Sequence, residues 1–174
     1  MGLDILAISK LRLMTPEVKA ALDRLPELST DDEPVLTVTD RTKKEDCCRC
    51  LDMTNGDYYK TEGSEEYDFR AGSYSSYGKF RNSLADVFHH CSARDVWDKE
   101  SHFKGKPFYE LIDFSDCEGV IGPEVCAKLH EDFVKGRSKF ASECERDSDW
   151  MLAVYDRFTK AFELAKDDGI IVFC

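Results

Sequence analysis

Phe108–His130 reads F-Y-E-L-I-D-F-S-D-C-E-G-V-I-G-P-E-V-C-A-K-L-H. The apolar run Phe108–Phe114 leads into Ser115, Asp116, Cys117 and Glu118. Gly119 and Gly122 follow, and Pro123 opens an amphipathic helix with Val125, Cys126, Leu129 and Phe133 on one stripe. A strand, a polar turn, glycines and a helix start in that order is a common way for α/β proteins to build a site.

The chain flanking this stretch alternates between the two periods. Leu3–Ser9 is apolar at nearly every position but Asp4, which predicts a strand covered on both faces. Thr15-Pro16-Glu17 starts a short helix that Pro26 ends. Leu28–Pro34 reads as a loop, and Val35–Asp40 as a β-branched strand. Glu65–Ala71 alternates about Tyr67 and Phe69. A turn at Gly72–Ser76 is expected to precede a helix with Tyr77, Phe80, Leu84 and Val87/Phe88 on one face, capped by Ser75 or Ser76. A polar connector runs from His89 to Pro107, and the helix at Pro123 is expected to fade at Gly136. Met151, Val154/Tyr155, Phe158, Phe162 and Ala165 form the stripe of a last helix capped by Asp147-Ser148-Asp149. Gly169 is its stop, and Ile170–Phe173 a final buried strand. The interleaving predicts an α/β or α+β fold, a mixed β-sheet packed by about three main helices. At 174 residues one domain spanning 1–174 is expected. Residues 41–63 are an irregular excursion from it, in which Asn55-Gly56 is placed to close a hairpin between Cys50–Thr54 and Asp57–Thr61.

Composition excludes several classes. A hydrophobic fraction of 42% argues against disorder. Twenty-four cations against 35 anions give −11, which argues against a nucleic-acid partner, since phosphate contacts need clustered Lys and Arg. The basic run Arg41–Lys44 is short enough to be a solvated loop. No apolar run reaches the about 20 residues a bilayer requires, so no membrane partner is expected. The N-terminus lacks the basic and cleavage features of a secretory signal, and Leu6 stands where a myristoylation signal needs Ser or Thr. A cytoplasmic protein with reduced thiols is therefore expected from its eight cysteines. Cys47, Cys48 and Cys50 are the one cluster. Their C-C-x-C spacing lacks a second pair downstream, so zinc is a minor reading, with His89, His90 and Cys91 as the partners it would need.

Two turns carry the candidate chemistry. In Arg70–Arg81, R-A-G-S-Y-S-S-Y-G-K-F-R, Ser73 and Ser75 sit at a helix start whose free N–H groups and dipole favour anions. Arg70, Lys79 and Arg81 bracket it. Arg70 and Arg81 suit phosphate, and Tyr74 and Tyr77 suit stacking on a base. The plainer reading is a Ser-capped helix with solvated cations. In the second turn Ser115, Asp116 and Glu118 suit hydrogen bonds to ribose hydroxyls or an amino group. Asp113, Asp116 and Glu118 alternatively form a carboxylate set for Mg²⁺ or Mn²⁺ in a phosphoesterase. Cys117 is a conceivable nucleophile near a helix start, though it has no evident base. Walker, G-x-G-x-x-G and G-x-S-x-G patterns are absent, and no complete catalytic constellation or cofactor motif is present.

R-A-G-S-Y-S-x-Y at Arg70–Tyr77, F-Y-E-L-I-D-F-S-D-C-E-G-V-I-G-P at Phe108–Pro123 and M-G-L-D-I at the start resemble a family of small uncharacterised phage and prophage proteins. The resemblance runs from Gly2 to the Phe162–Phe173 end and leaves out the insert around Cys47–Cys50. It supplies context and no catalytic residues: such accessory proteins commonly act against host defences. Together with the two turns it implies an anti-defence protein that sequesters a cyclic dinucleotide or an ADP-ribose-type signal, possessing a binding site and no catalytic one, with a homo-oligomer as an option. A metal-dependent phosphoesterase and a protein–protein inhibitor of a host enzyme are the alternatives.

Overall fold

Leu3, Ile5 and Ala7 lie on one face of the first strand and are buried, while Leu6 and Ile8 pack on the other. That two-sided burial organises the molecule. The structure, a computed structural model, describes residues 2–22, 33–44, 48–115, 117–144 and 148–174. The main sheet has five strands: β1 (Gly2–Ile8), β4 (Cys48–Arg49), β6 (Glu66–Ser73), β7 (Gly119–Ile121) and β8 (Ile170–Phe173), in the order β4-β7-β8-β1-β6. Its pairs are antiparallel except β4 with β7. The mixed-sheet expectation holds.

One face carries the helices α2 (Tyr74–His89), α6 (Pro123–Glu143) and α7 (Ser148–Ala165). Leu3, Ile5, Phe69, Ile121, Ile171 and Phe173 meet Phe80, Phe133, Phe140, Tyr155, Phe158 and Phe162 there. Phe158 is its hub, its ring centroid 5.5 Å from Phe80 in a stack, 5.0 Å from Phe69 edge-on and 6.0 Å from Tyr77. The other face is covered by a three-stranded sheet of β2 (Arg12–Leu13), β5 (Gly56–Tyr59) and β3 (Leu36–Val38), in the order β2-β5-β3. Val38, Tyr58 and Met53 pack there with Leu6, Val120 and Val172. Four short α-helices, α1 (Pro16–Leu22), α3 (Ala93–Asp98), α4 (Glu100–Phe103) and α5 (Tyr109–Ile112), and a 3-10 turn at Thr42–Lys44 complete the described residues. Thr15 caps α1 as expected, its hydroxyl accepting from Val18 N at 3.2 Å. The Pro26 stop and most of the Leu28–Pro34 loop lie outside the described residues.

Several expectations need correction. The run Phe108–Phe114 holds a short helix, α5, where a strand was read. The run is mostly apolar and too short to show a helical period, and Phe108, Leu111 and Ile112 are all buried. The strand comes after the acidic turn, as β7. Residues 41–63 supply a strand to each sheet, because the back of β1 and β8 needs a cover. Asn55-Gly56 closes no hairpin with 50–54: β5 pairs with β3, Val38 opposite Gly56, and with β2. The connector 89–107 contains α3 and α4. The α6 helix passes through Gly136, where a Cβ would come within 2.7 Å of Phe88 Cζ and 2.9 Å of Phe108 Cζ, so the glycine is a packing notch. The left-handed residue that ends α7 is Asp168, at φ 55°, one before Gly169. Cys48 and Cys50 form a disulfide, where reduced thiols were expected; Cys47 lies outside the described residues.

Candidate functional site

Strand register fixes what the two turns can do together. Phe69, Ile5, Phe173 and Gly119 stand side by side on β6, β1, β8 and β7. β6 runs toward Ser73 at the end of the sheet from which β7 emerges, so the first turn and the Ser115–Glu118 turn share one end. Three strand spacings, about 14 Å, separate the outer members of that row. Between them Asp4 and Cys174 exchange backbone hydrogen bonds of 2.8 and 3.0 Å.

On the β6 side there is no intervening turn. Gly72, at φ 107°, bends the strand directly into α2, and Ser73 is the N-cap in place of Ser75 or Ser76. Its hydroxyl accepts from Ser76 N at 3.1 Å and lies 2.9 Å from both the Ser75 and the Ser76 hydroxyls. A cap satisfies only part of a helix start, whose other first-turn N–H groups have no partner within the helix. Arg70 is 60% exposed and lies 3.6 Å from the Asp4 carboxylate, its guanidinium resting on Gly2, where a Cβ would meet it at 2.0 Å. Two residues that sequence reading missed stand beside it. Arg157 of α7 donates to the Arg70 carbonyl at 3.5 Å. The Trp150 ring reaches within 3.1 Å of where a Gly72 Cβ would stand. Tyr74 is half-buried, and Lys79 faces solvent.

Tyr77 and Arg81 do not face a ligand space. Tyr77 has no exposed surface and Arg81 is 4% exposed. Their spacing explains it: Arg81 falls four residues after Tyr77 and three before Leu84, on the apolar stripe of α2. Its guanidinium lies 4.8 Å over the Tyr77 ring and 5.1 Å over Trp97, and Nη1 donates to the Phe114 carbonyl at 2.5 Å. Trp97, on α3, in turn donates to the Ile112 carbonyl at 2.8 Å. Arg81 therefore clasps the second turn to the helix that begins at the first.

The second turn is held from the other side by Arg49. Its Nη2 donates to the Asp113 carboxylate at 3.1 Å and to the Asp113 carbonyl at 3.3 Å, over the Phe114 ring. The Tyr109 hydroxyl also donates to that carboxylate, at 3.0 Å. Burial, and then Asp113 itself, push the Tyr109 phenol well above its usual range. Asp113 is thus committed to an ion pair and a hydrogen bond, which takes the first carboxylate from the phosphoesterase set. Ser115 turns inward on its own loop, its hydroxyl accepting from Cys117 N at 3.3 Å and Glu118 N at 3.4 Å. Glu118 and Cys117 are exposed, and Asp116 lies outside the described residues. Cys117 lacks the helix start expected for it: β7 intervenes, and α6 begins at the far end of that strand. No group of three metal-ligating side chains occurs among the described residues, and His89 Nε2 is 2.9 Å from the Pro107 carbonyl.

A groove of about 330 Å³ opens at the opposite end of the sheet, between Ser9, Glu65–Tyr67 and the end of α7, away from both turns. None of the described helices is long and apolar enough to cross a membrane. These features define a layered α/β protein with one polar, turn-built sheet end. No protein-family model matches the chain, and neither a curated protein nor a solved structure is detectably similar to it.

Proposed function

We propose that this chain is a binding protein that sequesters an anionic, nucleotide-derived small molecule at the sheet end formed by its two turns, in the manner of a phage anti-defence protein. The observation that carries the reading is the register row Phe69–Ile5–Phe173–Gly119, which puts the two turns at one end of the sheet on strands about 14 Å apart. Arg70 and Arg157 supply local positive charge in a chain of net −11. Arg70 has only a loose exposed pair with Asp4 to give up, and such pairs hold weakly. The Ser75 hydroxyl and the first-turn N–H groups take phosphate oxygens, and Tyr74 and Trp150 offer ring faces to a base. On the second turn, Glu118 accepts from a ribose hydroxyl or an exocyclic amine. Tyr77 and Arg81 leave the ligand-contacting set and become the support that keeps the two turns in register.

The test is a trap-and-release experiment. The purified protein is incubated with cyclic dinucleotides, cyclic ADP-ribose isomers and NAD, freed of unbound material and denatured, and the released compound is identified. An intact nucleotide at near-stoichiometric yield is expected. Arg70→Ala should weaken its binding at least tenfold; unchanged binding in that variant sinks the site assignment. Recovery of a cleaved nucleotide would move the reading to a hydrolase. Depletion of nothing, with a host protein co-purifying, would move it to an inhibitor.

A further inference from the structure

We infer that the Cys48–Cys50 disulfide is a redox latch that docks the β4 segment against the second turn. Four observations meet in this segment. The bond joins residues two apart, with Cα atoms 5.7 Å apart. Two residues of extended strand advance about 6.6 Å, so the bond holds the chain shorter than a strand. β4 accordingly stops at Arg49, and the chain turns back with Met53 N donating to the Cys50 carbonyl at 3.1 Å.

The shortened segment then makes three attachments. Gly122 N donates to the Arg49 carbonyl at 2.8 Å. Arg49 holds Asp113. Asp52 accepts from Glu124 N at 3.2 Å, serving the start of α6, whose N-cap Gly122 has no side chain to do so. The fit is close: a Cβ on Gly122 would meet Cys50 Cα at 3.0 Å and the Arg49 carbonyl at 3.2 Å. Yet β4 is a two-residue parallel edge strand, so its own pairing is slight. The shape imposed by the disulfide is what presents all three attachments at once.

A loop this small restrains little of the unfolded chain, so its opening acts locally more than on global stability. Cys48 and Cys50 are 5% and 0% exposed, so exchange proceeds when the short edge strand opens. A cellular dithiol is the reductant. Its thiolate attacks one sulfur, the mixed disulfide is resolved by the second thiol, and two electrons and two protons pass to the Cys48 and Cys50 thiols as the dithiol closes to its own disulfide. The freed segment can extend, and Arg49 leaves Asp113.

The experiment is amide hydrogen exchange on the full-length chain, air-oxidised and dithiothreitol-reduced, with thiols mapped by alkylation. Oxidised protein should show Cys48 and Cys50 blocked and Cys91, Cys117, Cys126 and Cys174 open to alkylation after denaturation. Reduction should speed exchange at Gly122 and Glu124 at least tenfold and leave β1 and β8 unchanged. Cys48→Ser/Cys50→Ser should match the reduced protein without reductant. Exchange within twofold between the two states, free Cys48 and Cys50 in oxidised protein, or a bond to Cys47 in their place would each overturn the latch. Should the double variant also lose protection in β8, it has unfolded globally, and the wild-type oxidised-to-reduced comparison decides. None of these readouts requires a ligand, so the latch and the proposed binding function fail separately.

Discussion

The helical face of the sheet and its turn-bearing end are built by different physics. Under α6 and α7 the side chains are rings: Phe133, Phe140, Tyr155, Phe158 and Phe162 are wholly buried, and they pack pairwise at 4.5–6.1 Å, as between Phe133 and Tyr155 or Phe158. Hydrophobic burial there is non-directional, and many residues share it. At the turns, order depends on two guanidinium groups with directed bonds, Arg81 to the Phe114 carbonyl and Arg49 to Asp113. The first region should lose stability in proportion to the volume removed. The second should lose local geometry when one directed bond goes. A face of the first kind sets the fold, and an end of the second kind can hold turns that need not pack.

The largest effect is expected in the ring cluster. Phe158→Ala empties the space between Phe69, Tyr77, Phe80 and Phe162 and should cost about 3–5 kcal/mol. Urea unfolding reads this as a lower midpoint at unchanged slope. A loss under about 1 kcal/mol would mean that the cluster collapses around the hole, and the contrast between the two regions would lose its first term.

Arg81→Ala comes next, at about 2–3 kcal/mol, from the lost charged hydrogen bond and the guanidinium stacked on two rings. Its distinguishing readout is local. Exchange at Phe114–Glu118 should rise more than in Phe158→Ala at matched global stability, and Trp97 fluorescence should shift. Arg81→Lys should not restore the turn, because an ammonium lacks the planar fork that stacks on Tyr77 and Trp97. If Phe158→Ala loosens the turn equally, the end of the sheet has no order of its own.

Gly136→Ala sets two small terms against each other. Alanine favours a helix interior by about 1 kcal/mol over glycine. Its methyl would approach Phe88 and Phe108 ring carbons and the Tyr155 hydroxyl within 2.9 Å, and overpacking a core costs about 1–3 kcal/mol. The Tyr155 hydroxyl is fixed by donating to the Phe133 carbonyl at 2.7 Å, so it yields poorly. Thermal unfolding should show net destabilisation. A raised midpoint would show that the rings give way, and so that the ring-packed face is the softer of the two.

How much of this was legible follows the same division. β1, β6, α2 and α7 were readable because their apolar residues recur over seven or more positions or alternate cleanly, β8 because its β-branched apolar run follows directly on the Gly169 stop, and the mixed sheet follows from their order. The helix α5 was not, since a single four-residue turn, with Glu110 its one polar residue, is too short to show a period. α3 lay in a polar stretch, yet it carried a local signal: Ser92 and Asp95 form a capping box, with Asp95 N donating to Ser92 at 3.2 Å and Ser92 N donating to Asp95 at 3.0 Å. Arg81 was readable as well, by its place on the stripe of α2, which argued for burial and against a phosphate contact. The shared end of the two turns depends on pairings between residues more than a hundred positions apart, such as Ile5 with Phe173, and no local pattern encodes them. Arg157 and Trp150 reach the site by the same long-range route.

The smallest effect concerns pH and tests whether the helical face also contains charge-sensitive points. Burial, reinforced by Lys106 and Lys128, lowers the pKa of His89, and burial with Lys166 lowers that of His130, both from 6.5. A depressed histidine binds its proton more readily in the unfolded chain. The stability it contributes is therefore present above pH 6.5 and is lost as pH falls through the folded-state value. Urea midpoints should decline from pH 7 toward pH 5, before the carboxylates of Glu17 and Glu131, held below their ordinary 4.5, begin to titrate. His89→Gln/His130→Gln should flatten that decline. His89 ends α2, its ring 2.9 Å from the Pro107 carbonyl beside α5, whereas His130 lies on α6. If His89→Gln alone removes most of the slope, the acid-sensitive point belongs to the scaffold of the second turn, and mild acid would loosen the sheet end before the ring-packed face.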